Sequence, residues 1–220
     1  MIAHRGASAY EPENSLAAFR AAVRLGADGI ELDVHDTADG ALVVHHDPSL
    51  SGRPIGELAA ANLTAHRLPN GEPVPTLAQA LAAIGRDCRV FVEVKTLLPR
   101  HDPTLLAALD GGPAPTHYHV HGFDHRMVRR LTLQRRDLVG GVLSTSYPVD
   151  PWRQLSDAGA RELWQEVPLI DRALVDGAHE RGFLVYAWTV DDPQRARSLA
   201  ALGVDGLCTN RPDVIREALA

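Results

Sequence analysis

Apolar and polar positions alternate with a period of two through the run Gly29 to His35, where Ile30, Leu32 and Val34 take every second place and Glu31, Asp33 and His35 the others. In an extended chain that spacing puts the three ionisable side chains on one face. Val90, Val92 and Val94 alternate in the same way with Phe91, Glu93 and Lys95. Short β-rich runs at Ile2 to His4, His117 to Phe123, Val139 to Ser144, Glu162 to Glu166, Leu184 to Thr189 and Val204 to Thr209 complete a set of eight expected strands. Amphipathic runs between them predict helices, among them Ser15 to Leu25, Leu77 to Ile84, Arg126 to Leu133, Ile170 to Arg181 and Pro193 to Leu202.

Strands that alternate with crossover helices almost from end to end predict an α/β protein with a parallel sheet. Eight such units in this length predict a (β/α)8 TIM barrel. One segment breaks the alternation. Thr37 to Gly40 reads as a hairpin turn, and Ala41 to His46 as an extra strand running back antiparallel. Residues Pro48 to Pro75, rich in Gly, Pro and Asn, then read as a small insertion after the second strand. The chain as a whole, residues 1–220, is expected to form a single domain.

Charge and composition narrow the partners. The formal net charge is −6, with no basic run of five or more, so nucleic acid is not the expected partner and an anionic substrate would need locally placed cations. No apolar stretch of 18 residues occurs, which argues against stable membrane insertion, and no charged-then-apolar leader precedes Ile2; a soluble cytoplasmic protein is the expectation. Cys88 and Cys208, both in or beside expected strands and without C-x-x-C spacing, are expected to be reduced core residues.

The inward carboxylates carry the chemistry. Bare carboxylates on a buried face cost several kcal/mol unless they are paired or bind a metal. Glu31, Asp33 and Glu93 together can form a site for a divalent cation, and oxygen-only ligation points to Mg²⁺ or Ca²⁺ rather than zinc. The alternative is internal neutralisation by Lys95 or an arginine. Lys95 is the only lysine among 22 Lys and Arg residues, which suggests a task for a compact ammonium that a guanidinium would not perform. Barrel enzymes place chemistry at the carboxyl ends of their strands, and here those ends carry His4-Arg5, Glu31 with Asp33, and Glu93 with Lys95. The hairpin adds His45-His46-Asp47 beside the same rim. Two histidines flanking a cation suit phosphodiester cleavage by paired acid and base.

Several motifs in register extend this reading: His4-Arg5-Gly6, Pro12-Glu13-Asn14-Ser15, Gly26 to Asp33, Asp39-Gly40, His46-Asp47-Pro48, Glu93-Val94-Lys95, Trp188-Thr189-Val190 and Gly203 to Gly206. With these the chain resembles the glycerophosphodiester phosphodiesterase family along nearly its whole length. The resemblance implies a barrel that hydrolyses a small-molecule glycerophosphodiester to glycerol 3-phosphate and an alcohol with the help of a divalent cation. It implies Glu31, Asp33 and Glu93 as metal ligands, His4 and His46 as acid and base, Arg5 and Lys95 near the phosphate, and Trp188 lining the pocket. A related barrel phospholipase acting on lyso- or sphingolipids is the alternative enzyme, and a non-catalytic binding module of the same fold the alternative of another class. The lipid reading would need an apolar rim or a membrane-facing loop, and the insertion offers only scattered apolar residues such as Ile55, Leu58, Leu63 and Leu68.

Other residues admit two readings. Glu13 and Asn14 could be the first turn and cap of the first helix. His117, His119 and His121 alternate on one face of the fourth strand, which is the spacing of a His-x-His zinc pair but equally of barrel filling. His66, His101, His125 and His179 read as surface, loop or insertion residues. Two positions depart from the family pattern: Gly122-Phe123 stands where Ser-Phe is common and Thr209-Asn210 where Thr-Asp is common, and both bear on substrate preference.

Overall fold

Eight parallel strands close on themselves in the computed structural model, which describes residues 1–220. In chain order the strands are β1 (Ile2–His4), β2 (Gly29–Asp36), β3 (Leu42–Val44), β4 (Ser49–Leu50), β5 (Arg53–Pro54), β6 (Arg89–Thr96), β7 (Tyr118–Gly122), β8 (Val139–Ser144), β9 (Glu162–Glu166), β10 (Leu184–Trp188) and β11 (Gly206–Thr209). The helices are α1 (Leu16–Arg24), α2 (Ala60–Thr64), α3 (Leu77–Ile84), α4 (Asp102–Asp110), α5 (His125–Gln134), α6 (Pro151–Ala158), α7 (Arg172–His179), α8 (Pro193–Leu202) and α9 (Pro212–Leu219). The barrel order is β1-β11-β10-β9-β8-β7-β6-β2, and pairing of β1 with β2 closes it. Strand β3 adds antiparallel to the end of β2, where the hairpin pattern predicted it.

The alternation of β2 explains its burial on both faces. Ile30, Leu32 and Val34 point outward into a core of 44 buried residues shared by the strands and the surrounding helices. Parallel sheets covered on both faces favour such β-branched and leucine positions. Inside the barrel, Ile2, Phe91, Leu143, Trp164, Tyr186 and Cys208 form a second cluster. Its aromatic rings are in contact, with Phe91 and Trp164 centroids 5.1 Å apart and Trp164 and Tyr186 4.8 Å apart. Gly206 makes room for this packing, since a Cβ there would lie 2.4 Å from the Tyr186 ring. Large rings fill the barrel below and leave polar residues at the carboxyl ends above.

Helix starts follow side-chain caps. Ser15 accepts from the Ala18 amide at the head of α1, Thr76 and Gln79 form a capping box on α3, and Asp192 caps α8. The cap of α1 is thus Ser15, and Asn14 is free for another partner. Helices α4, α6 and α9 carry Pro in their first turn and are short, and the periodicity did not single them out.

The insertion folds around a small core of Val43, Ile55, Leu58, Leu63 and Val74, which takes up its scattered apolar residues. Two expectations need correction. His101 is buried, not a surface residue, and its Nδ1 lies 2.8 Å from Asp36 Oδ2. His117 falls in a 3₁₀ turn before β7, so only His119 and His121 share a strand face. Both cysteines are buried and unpaired as expected, and Cys88 donates to the Ala27 carbonyl at 3.1 Å. No helix is long and apolar enough to cross a membrane.

Candidate active site

The first strand turns sharply at its carboxyl end, and that turn builds the first wall of the site. Arg5 and Gly6 both take left-handed backbone conformations, with φ of 56° and 81°. A Cβ at position 6 would meet the Ala18 carbonyl carbon at 2.6 Å, so only glycine lets α1 approach. The strain at Arg5 aims its amide at Glu31 Oε2, 3.0 Å away, and its guanidinium over β2. Arg5 Nη1 donates to Glu13 Oε2 at 2.8 Å, and Nε stands 3.2 Å from Asp33 Oδ2.

Parallel register then brings the acidic positions together. His4 pairs with Glu31 across β1 and β2, Asp33 with Glu93 across β2 and β6, and Glu93 with His121 across β6 and β7. Glu31, Asp33 and His121 are each 2% exposed or less. Lys95 reaches back over the same face, its Nζ 3.0 Å from Asp33 Oδ1 and 2.5 Å from Glu93 Oε1. Asn14, with φ of 57°, donates from Nδ2 to Asp33 Oδ2 at 2.8 Å and accepts from the Asp33 amide at 3.3 Å. Asn14 therefore serves Asp33, and Glu13 serves Arg5.

Internal neutralisation is realised at Asp33 and stops short of Glu31. Asp33 is neutralised internally by Lys95 and Arg5, as one alternative required. Glu31 has no lysine or arginine side chain within ion-pair distance; the nearest basic side chain is His4, with Nε2 at 3.9 Å. Three carboxylates thus share two permanent cations, one of which also serves Glu13. Five buried polar atoms here lack a hydrogen bond of good geometry: Arg5 Nε, Glu31 Oε1, Asp33 Oδ1, Glu93 Oε1 and His121 Nδ1. Ligand atoms of Glu31, Glu93 and His121 lie within 4.8 Å of one another. The deficit of positive charge and the orphaned oxygens fit a divalent cation.

Proton affinities record the same imbalance. Burial, then the charges of Asp33 and Glu93, push the Glu31 carboxyl well above its ordinary range. Burial, then Asp33, raises Glu93 to about 7. Burial also disfavours the Asp33 anion, but Lys95, Arg5 and Asn14 outweigh it and hold that carboxyl low. Burial takes His121 down to about 3, and burial followed by the charge of Arg5 lowers His4.

The two candidate catalytic histidines stand on either side of these groups. His4 Nδ1 lies 2.8 Å from Asn210 Oδ1. Asn210 is oriented in turn by Asp191, which accepts from its side-chain amide at 2.6 Å and its backbone amide at 2.8 Å. His46 follows β3, with Nδ1 2.9 Å from Asp47 Oδ1, and its carbonyl lies 3.3 Å from His35 Nε2. His4, His46, Arg5, Lys95 and Trp188 all border one cavity of about 140 Å³ at the carboxyl ends of the strands. Trp188 hydrogen-bonds the Trp164 carbonyl at 3.0 Å and meets the Phe123 ring edge-on, forming an apolar wall opposite the charges. A larger depression of about 460 Å³ at the amino-terminal ends of β8 and β9 holds Arg129, Arg136 and Arg161 but no histidine or buried carboxylate.

The alternation signalled which carboxylates turn inward, but not the roles of Asn14, His121 and Asn210. His121 stood out only as one of a histidine series. Asn210 stood out only as a departure from a pattern, with a bearing on substrate; its contact is with His4.

Residues 4–214 match the model of the glycerophosphoryl diester phosphodiesterase family. A glycerophosphodiester phosphodiesterase of Caldanaerobacter subterraneus is 32% identical over 231 residues, covering 98% of this chain and 95% of its own. Among solved structures, a glycerophosphodiester phosphodiesterase of Parabacteroides distasonis superposes with a TM-score of 0.88 at 25% identity, covering 99% of this chain and 94% of the other. A phosphodiesterase of Oleispira antarctica in complex with its product sn-glycerol-3-phosphate gives a TM-score of 0.91 at 24% identity, covering 99% and 95%; at that identity the likeness is one of fold.

Proposed function

This chain belongs to the glycerophosphoryl diester phosphodiesterase family, and we propose that it performs the family's reaction at the cavity between His4 and Trp188. It is a phosphoric diester hydrolase that converts glycerophosphodiesters to glycerol 3-phosphate and an alcohol. The observation that carries the assignment of the site is the placement of two inward carboxylates, Glu31 and Glu93, with two permanent cations and the histidines His4 and His46 around one opening, Asp33 being tied to the cations behind them.

Glu31, Asp33 and Glu93 would hold the divalent cation. Their carboxylates alone suit the hard Mg²⁺ or Ca²⁺ class. Bound there, the cation would add positive charge beside the non-bridging phosphoryl oxygens. Arg5 and Lys95 lie near enough to the opening to bind the same oxygens, and their ion pairs with Asp33 and Glu93 keep both side chains in place before substrate arrives. His4 offers the base: its Nδ1–H is taken by Asn210, which leaves the Nε2 lone pair to accept the proton of the attacking hydroxyl. His46, oriented by Asp47, donates to the departing alcohol oxygen. The Trp188 and Phe123 rings would receive the glycerol carbon backbone. Two unpaired buried cysteines suit the cytoplasm as working compartment.

The test is release of glycerol 3-phosphate from a panel of glycerophosphodiesters, with and without chelator, for the parent and for Glu93→Gln. The variant should stay folded, bind divalent cation more weakly by calorimetry and lose activity. Parental cation affinity in Glu93→Gln would remove this carboxylate from the site.

A further inference from the structure

Two histidines alternate on the inner face of β7, and they are treated differently. His119 is satisfied: its Nδ1 lies 2.6 Å from Glu162 Oε1. His121, one step nearer the cavity, is 1% exposed, and its Nδ1 has no partner of any kind. Its ring lies flat on Trp164, with centroids 4.2 Å apart and planes 5° from parallel, so the imidazole cannot turn away to find one. A buried nitrogen left open in a fixed ring is costly for a residue that only fills space. Beside it, Glu31 Oε1 is open too, Glu93 Oε1 has only the Lys95 ammonium at 2.5 Å, and Glu31, Glu93 and His121 bring ligand atoms within 4.8 Å of one another.

The third member of this group changes the chemistry of the site. Carboxylates and water suit Mg²⁺ and Ca²⁺, whereas imidazole adds affinity for first-row transition ions that accept oxygen and nitrogen together. Asp33 contributes less freely, because Arg5, Lys95 and Asn14 already occupy its two oxygens.

We propose that His121 is a nitrogen ligand of the cation held by Glu31 and Glu93, so that this protein binds Co²⁺ in preference to Mg²⁺ and Ca²⁺. The inference rests on the reading above that a cation occupies these carboxylates.

Pulsed electron paramagnetic resonance of the full chain loaded with Mn²⁺ reads the ligand directly. The parent and His119→Gln should show nuclear coupling to an imidazole nitrogen, and His121→Phe, which preserves the stack on Trp164, should not. By calorimetry His121→Phe should lose roughly tenfold or more in Co²⁺ affinity, the scale of losses seen when the surroundings of a metal are altered, with Ca²⁺ affinity little changed. Mn²⁺ bound without nitrogen coupling in the parent would overturn the proposal, whether or not the variant folds. So would coupling that survives in His121→Phe, or equal losses for Co²⁺ and Ca²⁺. Cation binding that is indifferent to Glu31→Gln would instead remove the metal site itself, and this ligand with it.

Discussion

Asn210 accepts a hydrogen bond from His4 across the seam where the last barrel strand meets the first, with Nδ1 and Oδ1 2.8 Å apart. Asp191 takes both amide donors of Asn210, so its side-chain oxygen is the atom left to face the imidazole. Ser8 donates to that same oxygen at 2.7 Å. The consequence is a fixed tautomer: His4 carries its proton on Nδ1 and presents Nε2 to the cavity.

Asn210→Ala should therefore lower kcat by roughly 10- to 100-fold with a small effect on KM, because it frees the wrong tautomer without touching substrate. Steady-state kinetics on one glycerophosphodiester give the split. A variant that loses KM and kcat in other proportions, or only thermal stability, would reduce Asn210 to a structural residue.

Lys95→Arg should be severely impaired although charge is kept. One ammonium nitrogen bridges Asp33 Oδ1 and Glu93 Oε1 at 3.0 and 2.5 Å, and a planar guanidinium cannot place a single nitrogen between them. A loss on the order of 10²-fold in kcat is expected, as for removal of one preorganised charge-stabilising donor. Near-parental turnover would mean that the solitary lysine is an accident of composition.

Metal-free protein should lose the stability that its raised carboxyls contribute as pH rises above 4.5 and up to about 7. Glu93 has its carboxyl raised from an ordinary 4.5 to about 7, and Glu31 is raised as well, so in this window the folded state holds protons that the unfolded chain releases. That contribution is full below 4.5 and lost as pH climbs through the folded value. Asp33 acts in the opposite sense below its ordinary 3.8, and His4, His35, His45 and His121, all lowered from 6.5 by burial, act in the opposite sense below that value. The carboxyl contribution is therefore read by difference: in chelator the Tm of Glu93→Gln relative to the parent should rise between pH 5 and pH 8, and added cation should restore stability of the parent most at pH 8. A relative Tm that stays flat or falls between these values would contradict the charge imbalance.

A two-step route should operate, with the neighbouring glycerol hydroxyl attacking phosphorus and water then opening the cyclic phosphate. Two histidines suit it, since the base of one step can be the acid of the next. An intramolecular nucleophile also carries an effective molarity of roughly 10⁵ M or more when well oriented. A diester without the vicinal hydroxyl should be cleaved at least about a hundredfold more slowly. Comparable rates for the two substrates would rule the cyclic path out.

The alternation of Glu31, Asp33 and Glu93 with β-branched residues was enough to place all three inside a parallel barrel. A strand has a strict period of two, and side chains cannot change face without a register shift. The order of the motifs along the chain likewise put His4, Glu31 and Glu93 at the ends of strands that lie side by side. Which carboxylate is already neutralised depended on rotamers and on residues from other strands and loops: Lys95 and Arg5 converge on Asp33 and leave Glu31 open. The helix cap fell on Ser15 and freed Asn14 because the backbone at Asn14 turns left-handed, which its residue type permits but does not require. Asn210 and His4 are 206 positions apart, and only closure of the barrel makes them neighbours. Periodicity in sequence is set by local backbone geometry and can be read locally. Partner choice among buried polar groups is set by distance and desolvation, which exist only once the whole chain is folded.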